Sequence, residues 1–396
     1  MTADLGRLRA ELVTRIEVSR PAIQAAFASV PRHLFLPGVP PEEVYQDEAI
    51  VTKRDAAGVP VSSSSQPAIM AIMLDQLDLT PGHRVLEIGA GTGYNAALMK
   101  HIVGASGQVT SIDIDPEVAR EAGGHLAAAG YQDVTVTAGD GAQGNAERAP
   151  YDRLIATVGV SDLAPAWLSQ VTADAVIVVP LDVPGAQLSV AFQREDGHWA
   201  SRSIAPCGFM RMRGSLAGPA AVVPLGPGLR LQLPAERGLD PAALAAAIAA
   251  PPEAAEDTGV SAAAPEVFWS LNLWLAARED RACQVAEELH ADRTPALTGS
   301  LVSSGTFHAT HGLVTADSIA MLSRRPDSGL IARGYGSGAA ALAAALAAQV
   351  RAWDAAGRPA ASGMHVDAYP RQATDAPAPG TMIVERPSTR FAVYHT

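Results

Sequence analysis

Ten residues set the architecture of this chain: Val85-Leu86-Glu87-Ile88-Gly89-Ala90-Gly91-Thr92-Gly93-Tyr94. A short apolar strand over 84–88 ends in an acidic residue, and a glycine-rich turn then opens a helix predicted over 95–102. Glycine is needed where the backbone takes a positive φ or lies against a ligand without a Cβ in the way. A strand, a glycine-rich turn and a helix form the first unit of a nucleotide-binding α/β fold, whose ligand lies beyond the carboxyl end of the strand.

The glycine spacing and the acidic residue favour one class of cofactor. The spacing is G-x-G-x-G, whereas dinucleotide enzymes favour G-x-G-x-x-G. Glu87 would repel a pyrophosphate and suits a cationic ligand better. S-adenosylmethionine (SAM) is such a ligand, because it carries a sulfonium and an ammonium.

Strands and helices alternate on both sides of this turn. The pattern predicts two helices within 3–28 and one over 66–77, then strands over 84–88, 108–113, 133–137, 152–157 and 174–179, helices over 95–102, 116–128 and 163–170, and a strand pair over 187–194 and 199–203. Such alternation is typical of a mainly parallel, doubly wound sheet. The predicted fold class is therefore α/β, with a Rossmann-like SAM-dependent methyltransferase domain.

The length predicts a second domain. A chain of 396 residues exceeds the size at which one core usually stops growing, and the composition changes near residue 215. We predict a methyltransferase domain over 1–215 and a smaller α/β domain over 216–396 that serves peptide recognition or homodimerisation. In the second domain we expect helical or buried segments over 268–277 and 282–289, a helix over 338–353, and strands over 364–369 and 381–394.

Composition and charge exclude several classes of function. The net charge of −12 argues against a large nucleic-acid footprint, so a carboxylate substrate must be attracted by local charges. No apolar run approaches the roughly 20 residues that span a bilayer, and a cytoplasmic location is the simplest expectation. Cys207 and Cys283 have no metal or redox spacing, and His308 and His311 have no evident third ligand, so no metal site is predicted.

Acidic residues follow successive strands at the spacing that a SAM site requires. Glu87 and the three glycines Gly89, Gly91 and Gly93 form the first part. Asp113 ends the next strand, where it can accept hydrogen bonds from both ribose hydroxyls. In Gly139-Asp140-Gly141, Asp140 can accept from the adenine amino group, with Gly141 beside it. The strand entered at Pro150-Tyr151-Asp152 ends at Thr157, which we expect at the reaction centre.

These residues resemble the protein-L-isoaspartate O-methyltransferase family, and the likeness runs from about Pro21 to Gly214. The matching pieces are Val30-Pro31-Arg32-His33-Leu34-Phe35, Ser62-Ser63-Ser64-Ser65-Gln66-Pro67, Val85 to Tyr94, Gly139-Asp140-Gly141 and Ala149-Pro150-Tyr151-Asp152. The serine of the segment before the glycine strand reaches the methyl-accepting carboxylate in that family, and the resemblance assigns this role to Ser65. The structural alternative is that Ser65 only caps the helix that begins at Pro67.

The resemblance also explains why little catalytic equipment is visible. A carboxylate with a pKa near about 4 is already ionised at neutral pH, so no general base is needed. The enzyme has to place one oxygen in line with the methyl group and exclude water. A neutral hydroxyl such as that of Ser65 can orient the carboxylate without quenching its nucleophilicity.

Three segments depart from the family and bear on the substrate. The family's Thr-Ile-Ser is Ser63-Ser64-Ser65 here, its Ala-Ala-Ala-Pro-Glu is Val158-Gly159-Val160-Ser161-Asp162, and its Phe-Val-Pro-Leu is Phe209-Met210-Arg211-Met212-Arg213. The corresponding predicted substrate contacts are Ser64, Val160, Arg211 and Arg213. The alternative for the two arginines is that they are exposed residues at a domain edge.

The segment beyond residue 215 is the largest departure. Methyltransferases of this type with a long C-terminal extension resemble those found with ribosomally made peptide natural products. Those enzymes methylate one aspartate of a constrained peptide, and the ester can close to an aspartimide and open to isoaspartate. Methylation of such a peptide is the leading prediction, and repair of isoaspartyl residues in damaged proteins is the alternative. A binding module that has kept the fold but lost catalysis is the third.

Overall fold

The structure is a computed structural model that describes residues 4–16, 18, 20–56, 58–218, 221–233, 237–289, 296–297, 300–303, 307–373 and 381–395. The helices in this part of the chain are α1 (Leu5–Arg15), α2 (Pro21–Ser29), α3 (Pro41–Val44), α4 (Pro67–Leu77), α5 (Tyr94–Val103), α6 (Pro116–Ala128), α7 (Pro165–Gln170), α8 (Pro241–Ala249), α9 (Ala264–Glu266), α10 (Asn272–Arg278) and α11 (Ala339–Ala355). None of them is long and apolar enough to cross a membrane.

The strands over the first half are β1 (Ile50–Arg54), β2 (Pro60–Ser64), β3 (Arg84–Ile88), β4 (Gln108–Asp113), β5 (Thr135–Ala138), β6 (Tyr151–Ala156), β7 (Val171–Val183), β8 (Ala186–Glu195) and β9 (His198–Cys207). Those over the second half are β10 (Ala221–Pro224), β11 (Leu229–Leu233), β12 (Ala254–Ser261), β13 (Ala282–Glu288), β14 (Val302–Ser303), β15 (Phe307–Val314), β16 (Ile319–Arg324), β17 (Gly329–Tyr335), β18 (Met364–Pro370), β19 (Met382–Glu385) and β20 (Thr389–His395).

The predicted doubly wound sheet is confirmed. Its ten strands run in the order β19-β20-β18-β9-β8-β7-β6-β3-β4-β5, and β7, β6, β3, β4 and β5 are parallel. The chain winds away from β3 in both directions, through β4 on one side and β6 on the other. The crevice beyond the carboxyl end of β3 is therefore the topological switch point, where open α/β sheets bind their ligands.

The sequence of β3 explains its central place. Successive side chains of a strand point to opposite faces. Val85 joins the core with α2, α4 and α5, whereas Leu86 and Ile88 join the core on the other face with Trp167 of α7. A parallel strand covered on both faces needs such a continuous apolar run.

The serine run forms a strand that the sequence analysis did not predict. Ser62, Ser63 and Ser64 belong to β2, which pairs with β1 in an antiparallel hairpin. Serine is not a strong strand former, and the run lacks the apolar alternation by which half-buried strands are recognised.

The C-terminal region contributes to two sheets. Strands β10 to β17 form an eight-stranded sheet in which all pairings are antiparallel, and α11 packs against it. The segment over 282–289, expected as helical or buried, is the buried strand β13. Strands β18, β19 and β20 instead extend the first sheet beyond β9. A second domain over 216–396 thus remains a prediction, and strands β18, β19 and β20 within that range pair with the methyltransferase sheet.

Candidate active site

A cleft of about 400 Å³ opens beyond the carboxyl end of β3, at the switch point. Gly89 and Gly91 line it with positive φ values of 99° and 52°. A Cβ on Gly89 would lie 2.7 Å from Thr157 Oγ1, and one on Gly91 would lie 3.1 Å from the Ser63 carbonyl oxygen. Both positions therefore need glycine. Thr157 itself lines the cleft, as the sequence predicts, and its hydroxyl donates to the Gly89 carbonyl oxygen at 2.6 Å.

Gly93 is not among the residues that line the cleft, and its contact with the cofactor stays a prediction. Its φ is 87°, and a Cβ there would lie 3.1 Å from the Ala122 carbonyl oxygen and 3.2 Å from Leu126 Cγ. The third glycine therefore allows α5 to pack closely against α6.

Asp113 lies at the carboxyl end of β4 and lines the cleft. Its Oδ2 accepts from the Gly91 amide at 3.1 Å, and its Oδ1 accepts from the Asp115 amide at 3.0 Å. Each carboxylate oxygen can accept more than one hydrogen bond. The side chain is thus fixed in place and can still accept from ribose hydroxyls, the role that the sequence predicts.

Glu87 does not reach the cleft, which corrects the prediction that it contacts SAM directly. It is fully buried below the glycine turn. Its Oε1 accepts from Asn95 Nδ2 at 2.8 Å, and its Oε2 accepts from Ser111 Oγ at 2.6 Å. Burial raises the pKa of Glu87 to about 7, although the two hydrogen bonds oppose the shift.

Asn95 is a residue that the sequence analysis missed. It lines the cleft and is 8% exposed, with its Nδ2 committed to Glu87. Its Oδ1 is buried and has no hydrogen-bond partner among the described residues. An orphaned amide oxygen in this position can accept from the ammonium group of SAM, so the site fits that cofactor. The available signal was an asparagine at the second residue of α5, directly after the glycine turn.

Asp140 does not line the cleft, although its neighbour Gly141 does. Its Oδ1 accepts from the Ala142 amide at 3.0 Å, and its Oδ2 accepts from the Ser215 amide at 2.9 Å. Burial alone would raise the pKa of Asp140, but the hydrogen bonds from Ser215 and Ala142 outweigh it and lower the pKa. The side chain joins two loops, and its contact with adenine stays a prediction.

The hydroxyl of Ser65 does not cap helix α4, the structural role that the sequence left open for it. Gln66 is the N-cap of α4 and makes no side-chain capping bond. Asp47 instead accepts from the Ala68 amide at 2.8 Å and from Gln66 Nε2 at 2.9 Å. Ser65 lines the cleft, and within the described part of the chain its Oγ has no hydrogen-bond partner. The capping alternative is therefore wrong.

Arg32 positions the serine segment. Its guanidinium is fully buried and donates to the carbonyl oxygens of Val44, Gln46 and Glu48. It also donates to Ser64 Oγ at 3.4 Å and to the Ser65 carbonyl oxygen at 3.1 Å. Burial lowers the pKa of Arg32, although nearby tyrosines and Asp47 oppose the shift.

The predicted substrate contacts divide into two groups. Ser64, Arg211 and Arg213 line the cleft, and Arg211 Nε lies 3.6 Å from Asp182 Oδ2. Val160 does not, because it is fully buried and forms a parallel bridge to Leu181 in the core. Val160 is therefore removed from the predicted contacts.

The two histidines noted in the sequence both lie on strand β15. His311 is fully buried, and burial lowers its pKa to about 3. His308 Nδ1 lies 3.0 Å from the Leu297 carbonyl oxygen. Among the residues that the structure describes, no three His, Cys, Asp or Glu side chains could hold a metal ion together.

A family model and the similar proteins all point to the same family. A family model described as Protein-L-isoaspartate(D-aspartate) O-methyltransferase matches residues 7–216, more than half of the chain. Over 208 residues the chain is 36% identical to protein-L-isoaspartate O-methyltransferase 2 of Archaeoglobus fulgidus, covering 52% of this chain and 92% of that protein. Over 171 residues it is 37% identical to the protein-L-isoaspartate O-methyltransferase of Thermotoga maritima, covering 43% of this chain and 53% of that one.

A solved structure shares the fold over a longer span. It is named protein-L-isoaspartate O-methyltransferase, and the match covers 91% of this chain and 96% of that one, with a TM-score of 0.50 and 22% identity. A span of 91% extends well past residue 216. The C-terminal region therefore has a counterpart in the fold of a solved structure of that name.

Proposed function

Because the chain belongs to the protein-L-isoaspartate(D-aspartate) O-methyltransferase family, we propose that this SAM-dependent protein carboxyl O-methyltransferase acts on the free α-carboxylate of isoaspartyl residues in peptides. The observation that carries the proposal is the free Ser65 hydroxyl at the edge of the cleft, whose capping role has been taken by Asp47. The relatives' names support isoaspartate as the acceptor.

The reaction requires the carboxylate oxygen to be placed in line with the methyl group, and it requires no proton transfer. Bound SAM supplies an electrophilic methyl group, and the C–O bond to the carboxylate forms as the C–S bond breaks, leaving S-adenosylhomocysteine and no proton to move. Ser65 Oγ donates to the carboxylate and holds one of its oxygens in line. Arg32 fixes the backbone that carries this hydroxyl, so little reorganisation is needed when the peptide binds.

A second candidate is methylation of an ordinary aspartate in a ribosomally made, modified peptide. The polar pair Ser63-Ser64 beside Ser65 and Val158 favour it, because they depart from the family's pattern and line the cleft. The long C-terminal region favours it less than the sequence suggests. The match to a solved structure named protein-L-isoaspartate O-methyltransferase covers 91% of this chain, so the presence of the region supports the first candidate as well.

One assay separates the two candidates. Purified enzyme and SAM labelled in the methyl group are incubated with an isoaspartyl hexapeptide, the same hexapeptide with aspartate, and a macrocyclic peptide with one ring aspartate. Rapid labelling of the isoaspartyl hexapeptide alone supports the first proposal. Labelling of the macrocycle with neither linear peptide labelled would replace it with the second. Absence of labelling in all three, with SAM bound, would favour a binding module.

A further inference from the structure

A second cleft of about 260 Å³ joins the first. The two clefts share Cys207, Gly208, Phe209, Arg211 and Trp269 in their walls. A peptide whose target carboxylate lies at Ser65 therefore has a continuous path along this common wall.

The common wall is fixed before any peptide binds. The Met212 amide donates to the Gly159 carbonyl oxygen at 2.8 Å, and the Gly159 amide donates to the Met210 carbonyl oxygen at 2.8 Å. The Gln187 amide group bonds both the amide and the carbonyl oxygen of Phe209. Such a wall loses little conformational entropy when it binds a partner.

The C-terminal region supplies ten of the residues that line the second cleft, among them Trp269, Asn272 and Arg386. Trp269 lies in the π-helical turn Val267–Leu271, is half-buried and meets Phe268 edge-on at 4.7 Å between ring centroids. Asn272 Nδ2 donates to the Gly185 carbonyl oxygen in the turn between β7 and β8, which seats this segment against the methyltransferase sheet. Arg386 lies in the turn between β19 and β20.

The charge of the second cleft is opposite to that of the protein. Its charged lining residues are Asp182, Arg211 and Arg386, in a chain of net charge −12. Arg211 lies in ion-pair distance of Asp182. Arg386 donates from Nε to the Ser161 carbonyl oxygen at 2.9 Å and from Nη2 to that of Asp182 at 3.2 Å. Within the described residues it has no carboxylate at ion-pair distance, and its Nη1 makes no hydrogen bond.

We propose that the second cleft binds the stretch of substrate peptide next to the methyl-accepting residue, with an acidic side chain of that stretch paired to Arg386 and its backbone passing over Trp269. The inference rests on the proposed function for the identity of the partner as a peptide. Burial lowers the pKa of Arg386, although the carboxylates of Asp182 and Asp162 lie near enough to oppose this shift, and neither is within ion-pair distance. A half-buried guanidinium that makes no direct ion pair favours an anionic ligand, and continuity with the first cleft makes the neighbouring residues of the same peptide the occupant.

The test measures peptide binding apart from methyl transfer. Fluorescein-labelled isoaspartyl peptides carry glutamate or glutamine in the residues flanking the target, on one side or the other. Fluorescence anisotropy with the enzyme–S-adenosylhomocysteine complex gives each Kd. We expect wild type to bind one of the glutamate peptides about tenfold more tightly than its glutamine partner, as for one hydrogen bond to a charged group.

Three variants assign the preference. Arg386→Gln should abolish it, Arg386→Lys should keep part of it, and Trp269→Ala should weaken the glutamate and glutamine peptides alike. Arg325→Gln is the matched control, because Arg325 is partly exposed, pairs with Asp257 and Asp327, and lines neither cleft. An unchanged Kd for S-adenosylhomocysteine in the two Arg386 variants and in Arg325→Gln would show that their cofactor cleft is intact.

The outcomes keep the two proposals apart. Equal binding of both peptides by wild type, or a preference that survives Arg386→Gln, would overturn the second cleft as an acidic-flank site. A charge preference that depends on Arg386, without methyl transfer to any peptide, would support peptide binding in the second cleft and contradict the proposed reaction. If Arg386→Gln does not fold, the wild-type comparison and Arg386→Lys still decide the matter.

Discussion

Arg32 and Ser65 are 33 residues apart in sequence, yet Arg32 Nη2 lies 3.1 Å from the Ser65 carbonyl oxygen. The same nitrogen lies 3.4 Å from Ser64 Oγ. One buried guanidinium therefore ties the loop before α3 to the strand end that presents the predicted catalytic hydroxyl. The position of the Ser65 hydroxyl therefore depends on an arginine that does not line the cleft.

Replacement of Arg32 should damage both stability and catalysis. Arg32→Lys keeps the charge but cannot bond five acceptors at once, so several buried carbonyl groups lose their donor. We expect a loss of about 2–4 kcal/mol in the free energy of unfolding, since each unsatisfied buried group costs about 1–3 kcal/mol. Urea unfolding measures it, with Arg325→Lys as the control. A variant as stable as wild type would contradict this role.

Removal of the Ser65 hydroxyl should affect the peptide and spare the cofactor. Ser65→Ala leaves the cap of α4 intact, because Asp47 provides it. We expect kcat/KM for the isoaspartyl peptide to fall by about tenfold or more, as for loss of one hydrogen bond to a charged group. The Kd for SAM should not change. Ser169→Ala, at an exposed serine that bonds only the Ala166 carbonyl oxygen, is the control. Unchanged kcat/KM would remove Ser65 from the mechanism.

Asn95 should contribute to the binding of the amino acid end of SAM and not to the binding of its nucleoside. Asn95→Leu removes the orphaned Oδ1. We expect the binding free energy of S-adenosylhomocysteine to become less favourable by about 1.5–3 kcal/mol, the usual value for a hydrogen bond to a charged group. The Kd for 5′-methylthioadenosine, which lacks the ammonium, should stay the same in calorimetry. Equal weakening of both ligands would mean that the variant distorts the whole turn.

The sequence predicted the sheet well because its signals are local. The apolar strand of Val85 to Ile88 and the glycines that follow determine the turn and the switch point without reference to distant residues. The serine hairpin and strand β13 escaped prediction because their pairing partners, not their own composition, make them strands.

The site was predicted less completely, because a sequence motif does not show whether a side chain is buried or faces the cleft. Glu87 and Val160 are both among the predicted site residues, yet the side chain of each is fully buried and does not line the cleft. Asn95 is held in place by its hydrogen bond to Glu87, and Arg386 lies more than 170 residues beyond the methyltransferase motifs. Such contacts exist only once the chain has folded.

Asp113 should hold the ribose. Asp113→Ala should weaken SAM binding by about 1–3 kcal/mol, because the ribose hydroxyls lose a charged acceptor. Part of this loss will come from the turn itself, since Asp113 also accepts from the Gly91 amide. Calorimetry measures the Kd, and Glu121→Gln on the exposed face of α6 serves as the control. An unchanged Kd would show that the ribose binds elsewhere.

Glu87 should make the stability of the protein depend on pH. Its pKa is raised from 4.5 to about 7 in the folded state. Between these values the folded protein holds a proton that the unfolded chain has released, so the free energy of unfolding falls as pH rises through this window and levels off above it. The total contribution is at most about 3 kcal/mol. Glu87→Gln is neutral throughout and can still accept from Asn95 Nδ2, so its stability relative to wild type should increase from pH 5 to pH 7. Urea unfolding at pH 5, 6, 7 and 8 measures the difference. A difference that stays constant, or that shrinks as pH rises, would mean that Glu87 is ionised in the folded protein across the whole range.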